Sequence, residues 1–110
     1  MDRKFEFNHE RLDCYQLARE VADWAVSQAS PPERKHLRDQ LTRAADSMVL
    51  NIAEGSGKEA GAARRHPYNI ALGSAAEVCA VLDLVRFPEG NARQDQLRRI
   101  GAMLYRMSRV

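Results

Sequence analysis

Leu37–Lys58 reads LRDQLTRAADSMVLNIAEGSGK, and its periodicity decides the fold class. At about 100° per residue on a helix, Leu37, Leu41, Ala44, Ala45, Met48 and Ile52 fall on one arc. Gln40, Arg43, Ser47, Asn51 and Glu54 fall on a neighbouring arc, at spacings of three, four, four and three residues. The apolar arc is a core seam. The polar arc holds an amide, a guanidinium, a hydroxyl, a second amide and a carboxylate in a single line beside that core, whereas a solvated face mixes Lys, Glu and Arg freely. It reads as a polar seam at a helix–helix or subunit contact, with a solvated face as the plainer alternative.

At 110 residues the chain is expected to form one domain over 1–110, burying roughly two-thirds of its unfolded surface without staples. Apolar content of 45% and charged content of 29% are globular values, which argues against wholesale disorder. No apolar run approaches the ~20 residues needed to span a bilayer. The opening MDRKFEFNHE has no apolar segment to serve as a signal peptide, so a cytoplasmic protein with no membrane partner is expected. Cys14 and Cys79 have no pair spacing and sit among apolar neighbours, as small core residues do in a reducing compartment.

Either side of the opening stretch the same helical pattern recurs. Asn8 reads as an N-cap with Phe7 and Leu12 as a hydrophobic staple, opening a first helix to about Ala29. Its apolar residues, from Leu12 to Val26, cover far more than the ~100° stripe of a single core contact, which points to self-association. Ser30-Pro31-Pro32-Glu33 reads as a capping box with proline at the first helical position. The second helix is expected to end where Gly55 takes a left-handed C′ conformation. Ser56 to Glu59 forms a further capping box, after which Gly61 and Pro67 weaken the helix, so a firm third helix is expected only from about Pro67 to Phe87. In it Gly73, Ala76 and Ala80 make a strip of small side chains that lets another helix come close. Phe87–Asn91 reads as a turn, with Asn91 capping a last helix through Leu97, Ile100, Met103, Leu104 and Met107. The expected fold is all-α, an antiparallel up-down-up-down four-helix bundle.

The chemical motifs fall away one by one. Gly55-Ser56-Gly57-Lys58 lacks the earlier glycine, the following Ser or Thr and the preceding strand of a phosphate-binding loop. Glu6 with His9 and Glu33 with His36 have the Glu-x-x-His spacing of a di-iron bundle. Both lie at helix starts, however, where carboxylates are favoured by the helix dipole alone. No nucleophile motif surrounds His9, His36 or His66. The expectation is therefore no enzyme, no metal and no cofactor.

Formal net charge is +2, from 17 Lys and Arg against 15 Asp and Glu. The distribution says more than the total. Arg93, Arg98, Arg99, Arg106 and Arg109 face a single acid, Asp95, in the last segment, while Arg34, Lys35 and Arg38 form a second cluster and Lys58, Arg64 and Arg65 a third. The planar guanidinium suits phosphates and carboxylates. Arg34, Lys35, Arg38, Lys58, Arg64, Arg65, Arg98, Arg99, Arg106 and Arg109 are thus candidates for binding RNA or DNA, against the alternative of solvated helix faces. Aromatic stacking residues are scarce among them, which argues against sequence-specific reading of single strands.

Three blocks carry a resemblance. RLDCYQLA at Arg11–Ala18, QLTRAADSMVLNIAEGSGK at Gln40–Lys58 and IALGSAAEV at Ile70–Val78 resemble the bacterial 23S rRNA intervening-sequence protein family. The family pattern falls on Gln40, Arg43-Ala44, Ser47 and Asn51 to Gly55, and again on Gly73, Ser74 and Glu77. Pro67 departs from it where the family has an aromatic, and Met48 where it has Ile. The resemblance implies an antiparallel four-helix bundle assembled with itself into a ring, a homopentamer. More distantly the chain is similar to the accessory variability determinant proteins of diversity-generating retroelements, which implies a reverse transcriptase or other nucleic-acid enzyme as a partner. The function expected is a non-enzymatic, oligomeric bundle that binds structured nucleic acid, or a partner that processes it, through arginine. A protein-interaction scaffold without nucleic-acid binding is the alternative.

Overall fold

The computed structural model describes residues 4–110, so residues 1–3 of the expected domain lie outside the described residues. Four helices follow one another: α1 (Asp13–Val26), α2 (Lys35–Ser56), α3 (Ala62–Leu84) and α4 (Gly90–Met107). Short 3-10 turns at Asn8–Arg11 and Pro32–Arg34 precede α1 and α2. No strand occurs among the described residues.

Side-chain pairs between neighbours fix the direction of each helix. Between α1 and α2, Asn8 Nδ2 donates to the Ser56 carbonyl at one end (3.0 Å), and Arg38 Nη2 donates to the Val26 carbonyl at the other (3.1 Å). Gly55 meets Tyr68, while Ser47 meets Ser74, so α2 and α3 run in opposite directions. Gly101 lies beside Leu72 and Gln94 donates to Asp83, which reverses α4 on α3. Gln96 donates to Glu20 and Arg93 lies over Trp24, closing α4 antiparallel on α1. The diagonal pairs, α1 with α3 and α2 with α4, do not adjoin. This is the up-down-up-down bundle.

The core is the apolar arc of each helix turned inward. Ala18, Val21 and Ala25 of α1, Leu41, Ala45, Met48 and Ile52 of α2, Ala71 and Val78 of α3, and Ile100 and Leu104 of α4 have no exposed surface. Each fully buried Leu, Ile, Val or Met stabilises the fold by about 1.5–3 kcal/mol relative to an exposed one. Within α1, Cys14 and Trp24 are also buried, and Tyr15, Leu17 and Ala22, with Leu12 just before the helix, are half-buried against the same core. Phe87, in the α3–α4 link, packs edge-on against Trp24 with centroids 6.0 Å apart. The chain therefore covers most of the wide apolar surface of α1 itself, and of that helix only Val26 stands out at 63% exposed.

Helix ends depart from the sequence expectations. Asn8 does not cap a helix of its own; Leu12 is extended at ψ 125°, α1 starts at Asp13, and the Asn8 amide serves the last turn of α2 instead. Phe7 is exposed and packs on Phe5, so no staple forms with Leu12. At its far end α1 stops at Val26 rather than near Ala29, where Ser27 Oγ and Gln28 Nε2 both donate to the Trp24 carbonyl (2.7 and 3.0 Å). No side chain caps α2, so Ser30 makes no capping box; extended Pro31 and a 3-10 turn lead into it. The Ser56 box is likewise absent, because Ser56 is the last residue of α2 and donates to the Ala53 carbonyl (2.8 Å).

The two largest corrections concern glycine and proline. Gly55 is helical, not left-handed, and α2 runs through it to Ser56. Its lack of a side chain admits the Tyr68 ring, since a Cβ there would come within 2.5 Å of Tyr68 Cδ1 and Cε1. The left-handed turn belongs to Gly61 (φ 100°), which starts α3 at Ala62, five residues before Pro67. Pro67 sits inside the helix with its ring fully buried, and burial of that ring offsets the missing amide. At α4 the left-handed residue is Glu89 (φ 65°), so the helix begins at Gly90 and Asn91 lies within it rather than capping it.

Candidate functional site

The polar line on α2 divides into two groups. Ser47 and Asn51 are half-buried at the α2–α3 contact, where Asn51 Nδ2 donates to the Ser47 carbonyl (2.9 Å) and Ser74 Oγ lies 3.0 Å from Ser47 Oγ. The Ser47–Ser74 bond joins the two helices, while Asn51 bonds back to Ser47 on its own helix. Gln40, Arg43 and Glu54 are exposed, and among the described residues none of them makes a side-chain hydrogen bond or ion pair. Gly73 and Glu77 stand near Ser74 on α3, Glu77 one turn along the same flank, so both parts of the motif border the Ser47–Ser74 contact between α2 and α3.

The arginines separate in the same way. Arg38 is structural: its Nε donates to the Gln28 carbonyl (2.6 Å) and its Nη2 to that of Val26, supplying positive charge where the carbonyls of α1 end. Arg64 does the same beyond α2, donating through Nε (3.1 Å) and Nη2 (2.7 Å) to the Lys58 carbonyl. Arg93 lies over the Trp24 ring at 5.5 Å and bonds Gln96 and Glu89, leaving its buried Nε without a partner among the described residues. Arg34, Lys35, Lys58, Arg65, Arg98, Arg99, Arg106 and Arg109 are exposed.

A continuous family match accompanies this geometry: the family model described as 23S rRNA-intervening sequence protein matches residues 10–106. This chain belongs to that family. Comparison with curated proteins and with solved structures found no match. In this member of the 23S rRNA-intervening sequence protein family, the matched region takes in α1, α2, α3, α4 as far as Arg106, and the α2–α3 contact, and it leaves out Arg109.

Tertiary structure also assembles a surface that no single motif announces. Because α3 and α4 are antiparallel with Leu72 beside Gly101, two acid-free stretches, Ala60–Ala76 and Gln96–Val110, come to lie side by side. Arg65 projects from the first, and Arg98, Arg99, Arg106 and Arg109 from the second, with only Arg98 paired, to Asp95 at 3.6 Å. Gly73, Ala76, Ala80 and Ala102 keep the exposed backbone of these helices low. The guanidinium of Arg109 lies 4.0 Å over the Tyr105 ring, so that exposed aromatic already stacks on an arginine.

Burial shifts the titration of two further groups. Burial pushes the Cys14 thiol up to about 12, which leaves it protonated at neutral pH. Tyr68 is raised by burial, with the nearby Arg64 charge opposing the shift. Among the described residues no three His, Cys, Asp or Glu side chains are grouped to hold a metal ion. No helix there is long and apolar enough to cross a membrane.

Proposed function

We propose that this chain is a non-catalytic, homo-oligomeric protein of the cytoplasm that binds the phosphate backbone of structured RNA or DNA across the outward face of α3 and α4. The supporting observation is the juxtaposition of Arg65 with Arg98, Arg99, Arg106 and Arg109 on two acid-free helix segments. Backbone binding needs only positive charge and reach, and a low surface between the arginines lets a duplex approach. Stacking of Arg109 on Tyr105 leaves little for bases to stack on, which favours backbone contact over reading of single strands. On this reading a nucleic-acid enzyme such as a reverse transcriptase meets the protein through shared nucleic acid.

Salt-titrated binding of duplex RNA and duplex DNA tests it. Contact with about four phosphates weakens binding by roughly a hundredfold between about 50 and 200 mM salt. The pair Arg98→Ala and Arg106→Ala should then lower the logarithmic salt slope by about two. Absence of binding at low salt, with the protein folded, would leave a protein-interaction scaffold and sink the proposal.

A further inference from the structure

The four helices leave a pit at the end of the bundle where α1 and α3 begin and α2 and α4 finish. Its volume is about 290 Å³, near the lower end of small-molecule pockets. Leu12, Met107 and Val110 give it apolar walls, and no carboxylate side chain lines it. Asn8 and Ser56 at its edge are already engaged: the Asn8 amide nitrogen donates to the Ser56 carbonyl, and Ser56 Oγ to that of Ala53. Two further groups, on α3, have donors left over.

Tyr68 is only 3% exposed. Its ring lies against Gly55, and its hydroxyl, unbonded among the described residues but not shut off from solvent, opens into the pit. A buried tyrosine ordinarily finds a partner for that group. Arg64 is held from one side, where Nε and Nη2 both donate to the Lys58 carbonyl. The outer edge of its fork, Nη1 and the second Nη2 hydrogen, has no acceptor and no ion pair among the described residues. The guanidinium is near enough to Tyr68 for its charge to oppose the rise that burial gives the phenol.

We propose that this pit binds a small organic monocarboxylate, its carboxylate held between Arg64 and the Tyr68 hydroxyl and its apolar tail lying on Leu12, Met107 and Val110. A carboxylate takes the two edge hydrogens of a guanidinium in parallel and still accepts a third bond from a phenol. Because the Lys58 carbonyl already fixes Arg64, little ordering of that side chain opposes binding. A phosphate fits less well, since its second charge would find no second cation and its further oxygens would face apolar side chains. The volume is that of about ten waters, which gives room for an acid of roughly ten non-hydrogen atoms. Ligands of that size reach dissociation constants of about 0.1–1 mM at ordinary efficiency. Arg98, Arg99, Arg106 and Arg109 do not line the pit, so this site stands or falls apart from the nucleic-acid face.

Octanoate and its neutral analogue octanamide, titrated calorimetrically into the whole chain, test the proposal. Octanoate should bind in the range of about 0.1–1 mM and octanamide at least about tenfold more weakly. Tyr68→Phe removes only the hydroxyl and should weaken octanoate binding about tenfold. Without ligand the same variant should be as stable as the wild type or slightly more so, because it deletes a polar group that has no partner. Arg64→Gln, checked for folding by circular dichroism, should erase the preference for octanoate over octanamide. Equal affinity for the two probes, a Tyr68→Phe protein that binds octanoate as the wild type does, or no octanoate binding at about 10 mM would each overturn the proposal.

Discussion

Gly55→Ala puts helix propensity and packing in direct opposition. Inside a helix alanine is favoured over glycine by about 1 kcal/mol, and on that ground alone the substitution would stabilise α2. The added Cβ, however, would stand 2.5 Å from Cδ1 and Cε1 of Tyr68 and 3.2 Å from Cγ. Carbon atoms in contact sit about 3.5–4.0 Å apart, so the ring must retreat by roughly 1 Å. Tyr68 is only 3% exposed, which leaves it nowhere to go without moving α3. Overpacking of this kind costs about 1–3 kcal/mol, and the upper part of that range applies because the ring is hemmed in. Net destabilisation of about 1–2 kcal/mol is expected once propensity is subtracted. Gly73→Ala supplies the opposite sign: Gly73 is helical and exposed, and no atom lies within 4 Å of the place a Cβ would take, so alanine should stabilise by about 1 kcal/mol. Urea unfolding followed by circular dichroism at one low protein concentration reads both as midpoint shifts at constant slope. A Gly55→Ala protein as stable as the wild type would refute the close-packing account. Combining it with Tyr68→Leu should show strong non-additivity, because the clash disappears with the ring.

Further expectations concern charge and burial. Arg38→Met removes two hydrogen bonds to the carbonyls ending α1 and should lower stability by about 1.5–3 kcal/mol, whereas exposed Arg34→Met should change it by less than about 0.5 kcal/mol; thermal melts compare them. Native protein treated with a thiol reagent should modify half-buried Cys79 first and buried Cys14 only on unfolding. The raised Cys14 pKa means that the unfolded thiol ionises first as pH rises. The contribution of Cys14 to stability should therefore be constant well below pH 9.0 and be lost as the pH rises toward about 12, by up to about 1.4 kcal/mol per pH unit. Cys14→Ala should remove that contribution to the slope in unfolding curves taken across the range.

Several misread features share one cause, that a local motif names a favourable interaction but not its competitor. Asn8 has the chemistry of an N-cap, yet its amide reaches the Ser56 carbonyl, 48 residues away. Gly55 has the position of a helix terminator, yet what decides its role is the Tyr68 ring against it. Pro67 disfavours helix locally, but Gly61 supplies the turn, the amides of Arg64 and Arg65 bond the Gly61 carbonyl, and burial holds the proline in place. The arginines were legible only as clusters. Arg38 and Arg64 look like their neighbours in the sequence, and only the positions of the Gln28 and Lys58 carbonyls, just beyond α1 and α2, distinguish them from the exposed cations.

By itself the sequence determined the helical class, the four helices and the inward arc of each, because a 3.6-residue period forces residues three and four apart onto one face whatever surrounds the helix. It also placed Gln40, Arg43, Ser47, Asn51 and Glu54 in line. Tertiary structure alone decided that Ser47 bonds Ser74 across the α2–α3 contact while Arg43 and Glu54 stay unpaired among the described residues. It likewise set two acid-free stretches, 19 residues apart along the chain, side by side on α3 and α4. Both outcomes depend on which helices adjoin and in what register, and those are set by packing between segments that lie far apart in the chain.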